Sequence, residues 1–156
     1  MAPKFQIVKP EEFHIIHIAE KMRLDDQREV WAMAHMTPEE ALRASIKSKG
    51  EKHTVLADGE PIAMFGVGLP SMMSGRGVPW LLAREGFEKY FKSIGRYSRR
   101  YIDYALDVYD SLENYIDIRN TTSIRWLRWL GFNFDQPEVF GPDKRLFMRF
   151  WKRRDN

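Results

Sequence analysis

The segment 115–132 constrains the fold more than any other part of this sequence. A short alternating run, 115–119, leads through Asn120 and Thr121 into an amphipathic stretch that ends at Gly131. Asparagine and threonine side chains can accept hydrogen bonds from the free N–H groups of a helix start, and glycine readily adopts the left-handed conformation that closes a helix. The segment therefore predicts a strand, a tight turn, a short helix and a glycine stop.

The rest of the sequence alternates between strand and helix patterns. Thr37-Pro-Glu-Glu40 is a helix-start signal, and Asp58-Gly59 is typical of a tight hairpin turn. Residues 69–79, rich in Gly, Pro, Ser and Met, predict a loop. The predicted strands cover 5–8, 53–57, 60–65, 80–83, 115–119, 133–139 and 145–151, and the predicted helices cover 10–22, 25–36, 37–50, 86–112 and 121–130. Helices around a mixed sheet indicate the α/β (α+β) class.

Composition limits the kind of protein this can be. A chain of 156 residues predicts a single domain over 1–156, with 44% hydrophobic and 30% charged residues. No apolar run is long enough to cross a bilayer, and the first residues lack the apolar core of a secretion signal, so we expect a cytoplasmic location. The absence of cysteine excludes disulfides, thiolate metal sites and a cysteine nucleophile. The net charge of +3 permits anionic partners without requiring them.

The element order resembles that of the GNAT acyltransferase family over nearly the whole chain. That family has a strand, paired helices, a three-stranded meander, a long central helix, a fifth strand, a short helix ending in Gly-Phe and a final hairpin. The resemblance implies a mixed, mostly antiparallel sheet with helices on both faces. It is more specific over 101–132, where the sequence is most similar to GNAT-like internal virion proteins of short-tailed phages. The residues that carry this likeness are Tyr101, Asp103, Leu106, Tyr109, Asp110, Leu112, Asn114, Tyr115, Asn120, Thr121, Ile124, Arg125, Leu127 and Gly131.

The resemblance also implies a cofactor, acetyl-CoA or CoA, in a splay between the fourth and fifth strands. Its pyrophosphate would be held by backbone N–H groups of residues 85–88 at the start of the central helix, where the helix dipole favours an anion. The candidate cofactor-binding residues are Leu81, Leu82, Ala83, Arg84, Gly86, Phe87, Asn120 and Arg125. A strand N–H near Leu82 would polarise the thioester carbonyl while an amine attacks it. Glu60, Glu85 and Asp117 are the candidate proton acceptors.

Two departures from the family pattern weaken the enzymatic interpretation. The family's Gln/Arg-x-x-Gly-x-Gly/Ala loop is reduced to Arg84-Glu-Gly86, and Glu85 and Glu88 would repel a phosphate. The tyrosine that protonates the leaving thiolate in many members corresponds to Leu127, which has no ionisable hydrogen. Two hypotheses therefore stay open: an acyl-CoA-dependent N-acyltransferase acting on an amine, and a non-catalytic internal virion or host-interaction protein. Both place the protein in a host cytoplasm or a virion, with a phage or host protein as a partner of the second.

Three other features each have a functional and a plain interpretation. The cations Lys89, Lys92, Arg96, Arg99 and Arg100 on the central helix, with the tail 150–154, could contact nucleic acid, although a solvated helix face and a frayed end explain them more simply. Trp126 and Trp129 could stack on a base or pack on the sheet. His14 and His17 have a metal-compatible spacing but no third ligand, so no metal site is predicted.

Overall fold

The computed structural model describes residues 2–71 and 73–154. Its strands are β1 (Phe5–Val8), β2 (Gly50–Ala57), β3 (Glu60–Gly68), β4 (Arg76–Ala83), β5 (Ser111–Asp117), β6 (Asn133–Phe134), β7 (Glu138–Phe140) and β8 (Arg145–Arg153). Its helices are α1 (Glu12–Glu20), α2 (Leu24–Ala34), α3 (Pro38–Lys47), α4 (Phe91–Val108) and α5 (Thr121–Trp129), with a 3₁₀ helix at Phe87–Tyr90. No helix within the described residues is both long enough and apolar enough to cross a bilayer.

The strands form one mixed sheet in the order β1-β2-β3-β4-β5-β8-β6, with β7 also paired to β8. Every pairing is antiparallel except that between β4 and β5, which is parallel and confined to Arg76 with Ser111 and Gly77 with Leu112. The predicted mixed, mostly antiparallel sheet is confirmed. The short parallel contact joins two antiparallel halves, and we call it the seam.

Helices cover both faces of the sheet, as predicted. Alternation along β3 and β4 sends Met64, Trp80 and Leu82 to one face, where they pack with α1 and α3. Ala63, Ala83 and other residues of the opposite face pack with the 3₁₀ helix and α4. A third cluster joins α4 and α5 to β5 and β8. Helices α4 and α5 therefore share one face, and α1 and α3 lie on the other.

Two short sequence motifs form the local structures that they predicted, a helix start and a hairpin turn. Thr37 Oγ1 accepts a hydrogen bond from the Glu40 N–H at 3.2 Å, and Glu40 accepts one from the Thr37 N–H at 2.9 Å, which forms the capping box that starts α3. Asp58 and Gly59 both have positive φ values, 49° and 82°, at the hairpin between β2 and β3. Positive φ at both central positions is the requirement of a tight hairpin turn.

The predicted loop over 69–79 was wrong in its second half, because β4 begins at Arg76. Gly77 and Pro79 suggested a break in regular structure. Pro79 instead lies where the pairing with β5 has ended, so its missing N–H breaks no ladder. Its carbonyl accepts a hydrogen bond from Asn114 Nδ2 at 2.8 Å.

The predicted central helix over 86–112 was too long at both ends. Residues 87–90 form the 3₁₀ helix, α4 ends at Val108, and the Asp110 N–H donates to the Gly75 carbonyl at 2.7 Å. Leu112 matched the helical apolar stripe, yet it is 1% exposed on β5, where it fills the core next to the seam. The fifth strand therefore covers 111–117 rather than the predicted 115–119, and the closing pair of strands is three strands, β6 to β8.

Candidate functional site

Beyond the seam, β4 and β5 diverge and leave an opening in the sheet. We call this opening the wedge; its sides are residues 78–83 of β4 and 113–117 of β5, which have no mutual backbone pairing. Its narrow end is bridged by the hydrogen bond from Asn114 to Pro79. Its other end lies at Ala83 and Asp117, the last residues of the two strands, and we call this unpaired end the wide end.

The register of β4 decides which of its N–H groups face the wedge. The Arg84 N–H donates to the Ile62 carbonyl at 3.0 Å on the β3 side, and the Ala83 N–H points the other way. Because N–H directions alternate along a strand, Leu81 also faces the wedge, whereas Leu82 faces β3. The carbonyl-polarising donor predicted near Leu82 therefore has its counterpart in the N–H of Leu81.

The connection between α1 and α2 closes the wide end of the wedge beside β4. The Arg23 N–H donates to the Ala83 carbonyl at 2.9 Å, and the Glu85 N–H donates to the Lys21 carbonyl at 2.7 Å. Met22 and Arg84 thereby form an isolated antiparallel bridge. The Phe87 N–H also has an internal acceptor, the Arg84 carbonyl at 3.3 Å. Two of the N–H groups predicted to hold a pyrophosphate are therefore used within the protein.

The side chain of Arg23 crosses the wide end of the wedge and is 3% exposed. Its Nη1 donates to Asp26 Oδ1 at 2.8 Å and to Ser123 Oγ of α5 at 3.4 Å, and its Nε donates to Glu88 of the 3₁₀ helix. Its Nη2 lies 3.6 Å from Asp25 Oδ2. The Arg23 guanidinium thus connects the start of α2 to the 3₁₀ helix and to α5.

Two carboxylates of α2, one helical turn apart, cap the ends of the diverging strands. Asp26 Oδ2 accepts from the Ala83 N–H at 2.9 Å, and Glu29 Oε1 accepts from the Asp117 N–H at 2.9 Å. Glu29 Oε2 also accepts from Asn120 Nδ2 at 3.3 Å. Burial raises the pKa of Asp26 to about 6 and that of Glu29 to about 8. At pH 7, Glu29 is therefore mostly protonated, unlike an ordinary glutamate.

Several buried polar atoms near the wedge have no hydrogen-bond partner within the described residues. They include Arg23 Nη2, Asn120 Oδ1 and Trp126 Nε1. Asn120 is 3% exposed, and Trp126 stacks on Phe91 with ring centres 4.5 Å apart. Unpaired buried polar groups are rare in folded proteins, so each of these atoms calls for a partner such as a water molecule, an ion or a ligand. Arg23 immediately precedes α2, Asn120 immediately precedes α5, and Trp126 lies within α5. The three atoms therefore lie on both sides of the wide end.

Asn120 was predicted to cap α5 through its side chain, and this was wrong. It occupies the N-cap position without a side-chain capping hydrogen bond. Its amide is turned toward Glu29 instead, a residue far away in the sequence. The stop at Gly131 agrees with prediction, because Gly131 has φ of 98°.

The structure does not bring the three predicted proton acceptors together. Glu60 forms ion pairs with Arg84 and, at 3.5 Å, with His17, while Glu85 is exposed. Asp117 lies at the wedge and is 2% exposed. Burial acts to raise the pKa of Asp117, but hydrogen bonds from Arg119, the shortest at 2.7 Å, outweigh it and hold that pKa below its usual value. Asp117 is therefore the best placed of the three and a weak base.

The predicted cofactor-binding residues fall into two groups. Those from Leu81 to Phe87 line one side of the wedge and its exit, and Gly86 has φ of 82° with no heavy atom within 4 Å of a Cβ built on it. Asn120 lies at the opposite side, whereas Arg125 is exposed on α5. The sequence analysis missed Arg23, Asp26 and Glu29. No local pattern marks them, since charged residues on a helix normally face solvent.

A second charged region lies between α4 and α5. Lys92, Arg96, Arg99, Arg100, Asp103 and Trp129 line a shallow cavity of about 390 Å³, which we call the basic groove. The Arg99 guanidinium lies 3.7 Å from the centre of the Trp129 ring and donates to the Trp129 carbonyl at 3.0 Å. Within the described residues, Lys92, Arg96 and Arg100 form no ion pair.

Neither histidine of α1 takes part in a metal-type cluster. His14 is buried against Thr54, with Nδ1 and Oγ1 3.0 Å apart, and burial lowers the pKa of His14. His17 contacts Glu60. In the part of the chain that the structure describes, no group of three or more potential ligands is placed to hold a metal ion.

No protein-family model and no curated protein matches the sequence. Solved structures do match the fold. The ribosomal-protein-S18-alanine N-acetyltransferase from Escherichia coli is 15% identical, with a TM-score of 0.66 over 96% of this chain and 94% of that chain. An acetyltransferase of the GNAT family from Streptococcus pneumoniae is 9% identical, with a TM-score of 0.63 over 96% of this chain and 99% of that one.

This chain has the GNAT fold. A further match is spermidine N-acetyltransferase from Vibrio cholerae in complex with CoA and spermine, at 12% identity and a TM-score of 0.65, covering 97% of this chain and 96% of that chain. At such identities the likeness establishes the architecture. The GNAT fold predicted from 101–132 and the element order is confirmed, and the relation to phage internal virion proteins stays a prediction.

Proposed function

We propose that the protein binds acetyl-CoA or a related acyl-CoA in the wedge and transfers the acyl group to an amine. The observation that carries this proposal is the confinement of β4–β5 pairing to two positions on a GNAT fold. Beyond the seam, the Leu81 N–H faces the wedge without a strand partner, whereas the N–H groups of Ala83 and Asp117 are bonded to Asp26 and Glu29. The Leu81 N–H and the space beside Gly86 support the same placement. The spermidine N-acetyltransferase that shares this fold was solved with CoA and spermine, a thiol cofactor and an amine.

The chemistry asks little of the protein beyond placing the two reactants. The amine nitrogen attacks the thioester carbonyl, a C–N bond forms, the C–S bond breaks and the amine loses one proton. A wedge-facing N–H such as that of Leu81 would stabilise the developing oxyanion. Among the carboxylates at the wedge, Glu29 is the strongest base in its deprotonated form, because burial raises its pKa to about 8 and general bases work best near the ambient pH. Its share of deprotonated carboxylate, and with it the rate, should rise as the pH approaches 8. The leaving thiolate takes its proton from solvent, since Leu127 has none to give.

Release of free thiol from acetyl-CoA tests this proposal. The purified protein is incubated with acetyl-CoA and, separately, with a polyamine, a lysine peptide and a peptide with a free N-terminal alanine. We expect amine-dependent thiol release that Glu29→Gln reduces by about tenfold or more, the usual contribution of a general base being larger still. Glu138→Gln, at an exposed site on β7, serves as the matched control. Thiol release that no amine increases above the enzyme-free rate would contradict the proposal.

A second candidate is a GNAT-fold protein without catalysis, acting as an internal virion or host-interaction component. The observation that favours it is the closed wide end of the wedge, where Arg23 joins Glu88 and Ser123. The replacement of the family's tyrosine by Leu127 agrees with it. This candidate expects the protein to co-sediment with phage particles or to bind a bacterial protein, and Asn120→Ala to leave that association unchanged. Loss of cofactor-dependent turnover in Asn120→Ala would count against it.

A further inference from the structure

Arg23 has more carboxylate neighbours than one cation requires. It contacts Asp26, Glu88 and, at a longer distance, Asp25. These partners differ in how firmly they are fixed. The side chain of Asp26 is 4% exposed and also accepts from the Ala83 N–H, whereas that of Glu88 is 37% exposed. Glu88 is therefore the partner that can leave Arg23 for solvent, while Asp26 keeps the guanidinium in position.

The Arg23 guanidinium contacts the 3₁₀ helix that precedes α4. Its Nε reaches the 3₁₀ helix at Glu88, two residues after Gly86, where a Cβ added to the glycine would have no heavy atom within 4 Å. Its Nη2 has no hydrogen-bond partner within the described residues although it is buried. Apart from its 3.6 Å approach to Asp25, Nη2 is an unused N–H donor on a cation that Asp26 holds in position, and such a donor suits a phosphate oxygen.

We propose that Arg23 is the phosphate-binding residue of the cofactor site, and that the phosphate takes the place of the Glu88 carboxylate on its guanidinium. This inference rests on the proposed function for the identity of the ligand, a phosphate-bearing thiol cofactor. It explains how a chain with only Arg84-Glu-Gly86 in the phosphate loop, and with two N–H donors of that loop already used, can hold a pyrophosphate. Arg23 supplies the positive charge that Glu85 and Glu88 oppose.

The opposite interpretation is that Arg23 simply fills the wedge and keeps ligands out. The two interpretations give opposite signs for the same substitution. If Arg23 binds phosphate, its removal weakens CoA binding. If Arg23 is an obstruction, its removal strengthens the binding of every ligand that enters the wedge.

Calorimetric titration of the full chain with CoA and with pantetheine separates them, because pantetheine lacks the phosphates. We expect Arg23→Met to weaken CoA binding by about tenfold or more, the range for a charge-assisted hydrogen bond, and to leave pantetheine binding unchanged. Arg28→Met is the matched control, since Arg28 is an exposed arginine of α2 that pairs with Asp25 at 3.9 Å. It should change neither affinity.

Glu88→Gln tests the exchange of partners without removing the buried cation. Because Arg23 and Asp26 stay in place, this variant should fold even if Arg23→Met does not. We expect it to bind CoA several-fold more tightly than the wild type, with pantetheine unchanged. Equal or tighter CoA binding by Arg23→Met, unchanged or weaker CoA binding by Glu88→Gln, or equal wild-type affinity for CoA and pantetheine would each overturn the inference. CoA binding with these signs but without thiol release would leave it intact and contradict the acyltransferase proposal instead.

Discussion

The wide end of the wedge and the basic groove both contain several charged residues, but the two regions differ in whether these residues are paired. At the wedge, Arg23, Asp26 and Glu29 are held by hydrogen bonds to one another or to strand ends. In the groove, Lys92 and Arg96 have no ion pair within the described residues. Arg23 and Asp26 are buried and Glu29 is partly buried, whereas Lys92 and Arg96 are exposed and can pair with a molecule that approaches the surface.

This contrast shows where a charge matters for stability. A buried ion contributes through the cost of leaving its partner unpaired, whereas an exposed ion is screened by water and salt. The net charge of the groove lining, four cations and Asp103, equals the +3 of the whole chain, so the remainder of the molecule is balanced. The groove is therefore the main source of the long-range electrostatic field. The buried charges at the wedge are expected to have the larger effect on the unfolding free energy.

The largest effect is expected at Asp26. Asp26→Ala removes the fixed partner of a buried guanidinium and leaves the Ala83 N–H without an acceptor. Breaking a buried pair in this way costs about 3–5 kcal/mol of unfolding free energy. Urea denaturation measures it, with Asp25→Ala as the control because that side chain is 31% exposed and should cost under about 1 kcal/mol. Equal losses in the two variants would remove the distinction between a fixed and a loose partner.

The next effect is a pH dependence that comes from Glu29. An acid whose pKa is raised by folding binds its proton more tightly in the folded state, so the unfolding free energy falls as pH rises between its unfolded pKa, about 4.5, and about 8. Glu29→Gln removes this contribution. We expect the variant to gain stability relative to the wild type from pH 5 to pH 8, as measured by thermal unfolding. Parallel melting temperatures across this range would show that folding does not raise the pKa of Glu29.

A smaller effect is expected where the two helices of the groove touch. A Cβ on Gly95 would lie 2.7 Å from Trp129 Cη2, so Gly95→Ala forces the ring to move. In an open helix the same change would stabilise by about 1 kcal/mol. We expect it to be neutral or destabilising here, and to regain the ordinary stabilisation in a Trp129→Ala background. A double-mutant cycle measures this coupling, and a coupling near zero would mean that the ring does not rest on Gly95.

The smallest effect on stability is expected from the cations of the groove. Arg96→Ala should change the unfolding free energy by less than about 0.5 kcal/mol, as surface substitutions usually do. Its effect on binding is a separate question. The nucleic-acid hypothesis predicts that affinity for single-stranded DNA falls steeply with salt and that Arg96→Ala lowers the slope of log affinity against log salt by about one. A flat salt response would dismiss that hypothesis.

The parts of the fold that the sequence could predict are those set by local chemistry. Gly131 closes α5 because of its positive φ, and Asp58-Gly59 closes a hairpin for the same reason. The capping box of α3 lies within four adjacent residues. Such signals need no knowledge of the rest of the chain, and they were enough to order the elements and to reveal the likeness to the GNAT fold.

The candidate site could be predicted only in outline. The two strands that form the wedge were expected, but the residues that close it come from α2, whose contacts reach Ala83, Asp117 and Ser123 across 57 to 100 positions of sequence. A charged residue in an amphipathic helix gives no sign of facing inward when its partner lies so far away. Leu112 and Asn120 show the same limit. Leu112 fitted the apolar stripe of a helix but is buried on β5, and Asn120 fitted a helix cap but donates its side-chain hydrogen bond to Glu29.

The seam also bears on how the chain assembles. β1 to β4 come entirely from residues before 84, and β5 to β8 entirely from residues after 110, with α4 as the connection. Each half can therefore form its own ladders from its own residues, and the two backbone pairs of the seam, with the hydrogen bonds from Asp110 to Gly75 and from Asp117 to Glu29, need both halves. We expect amide hydrogens on either side to exchange as two separate cooperative units. The seam, which is short enough to leave the wedge unpaired, would then be the last backbone contact between the halves to form during folding and the first to break during unfolding.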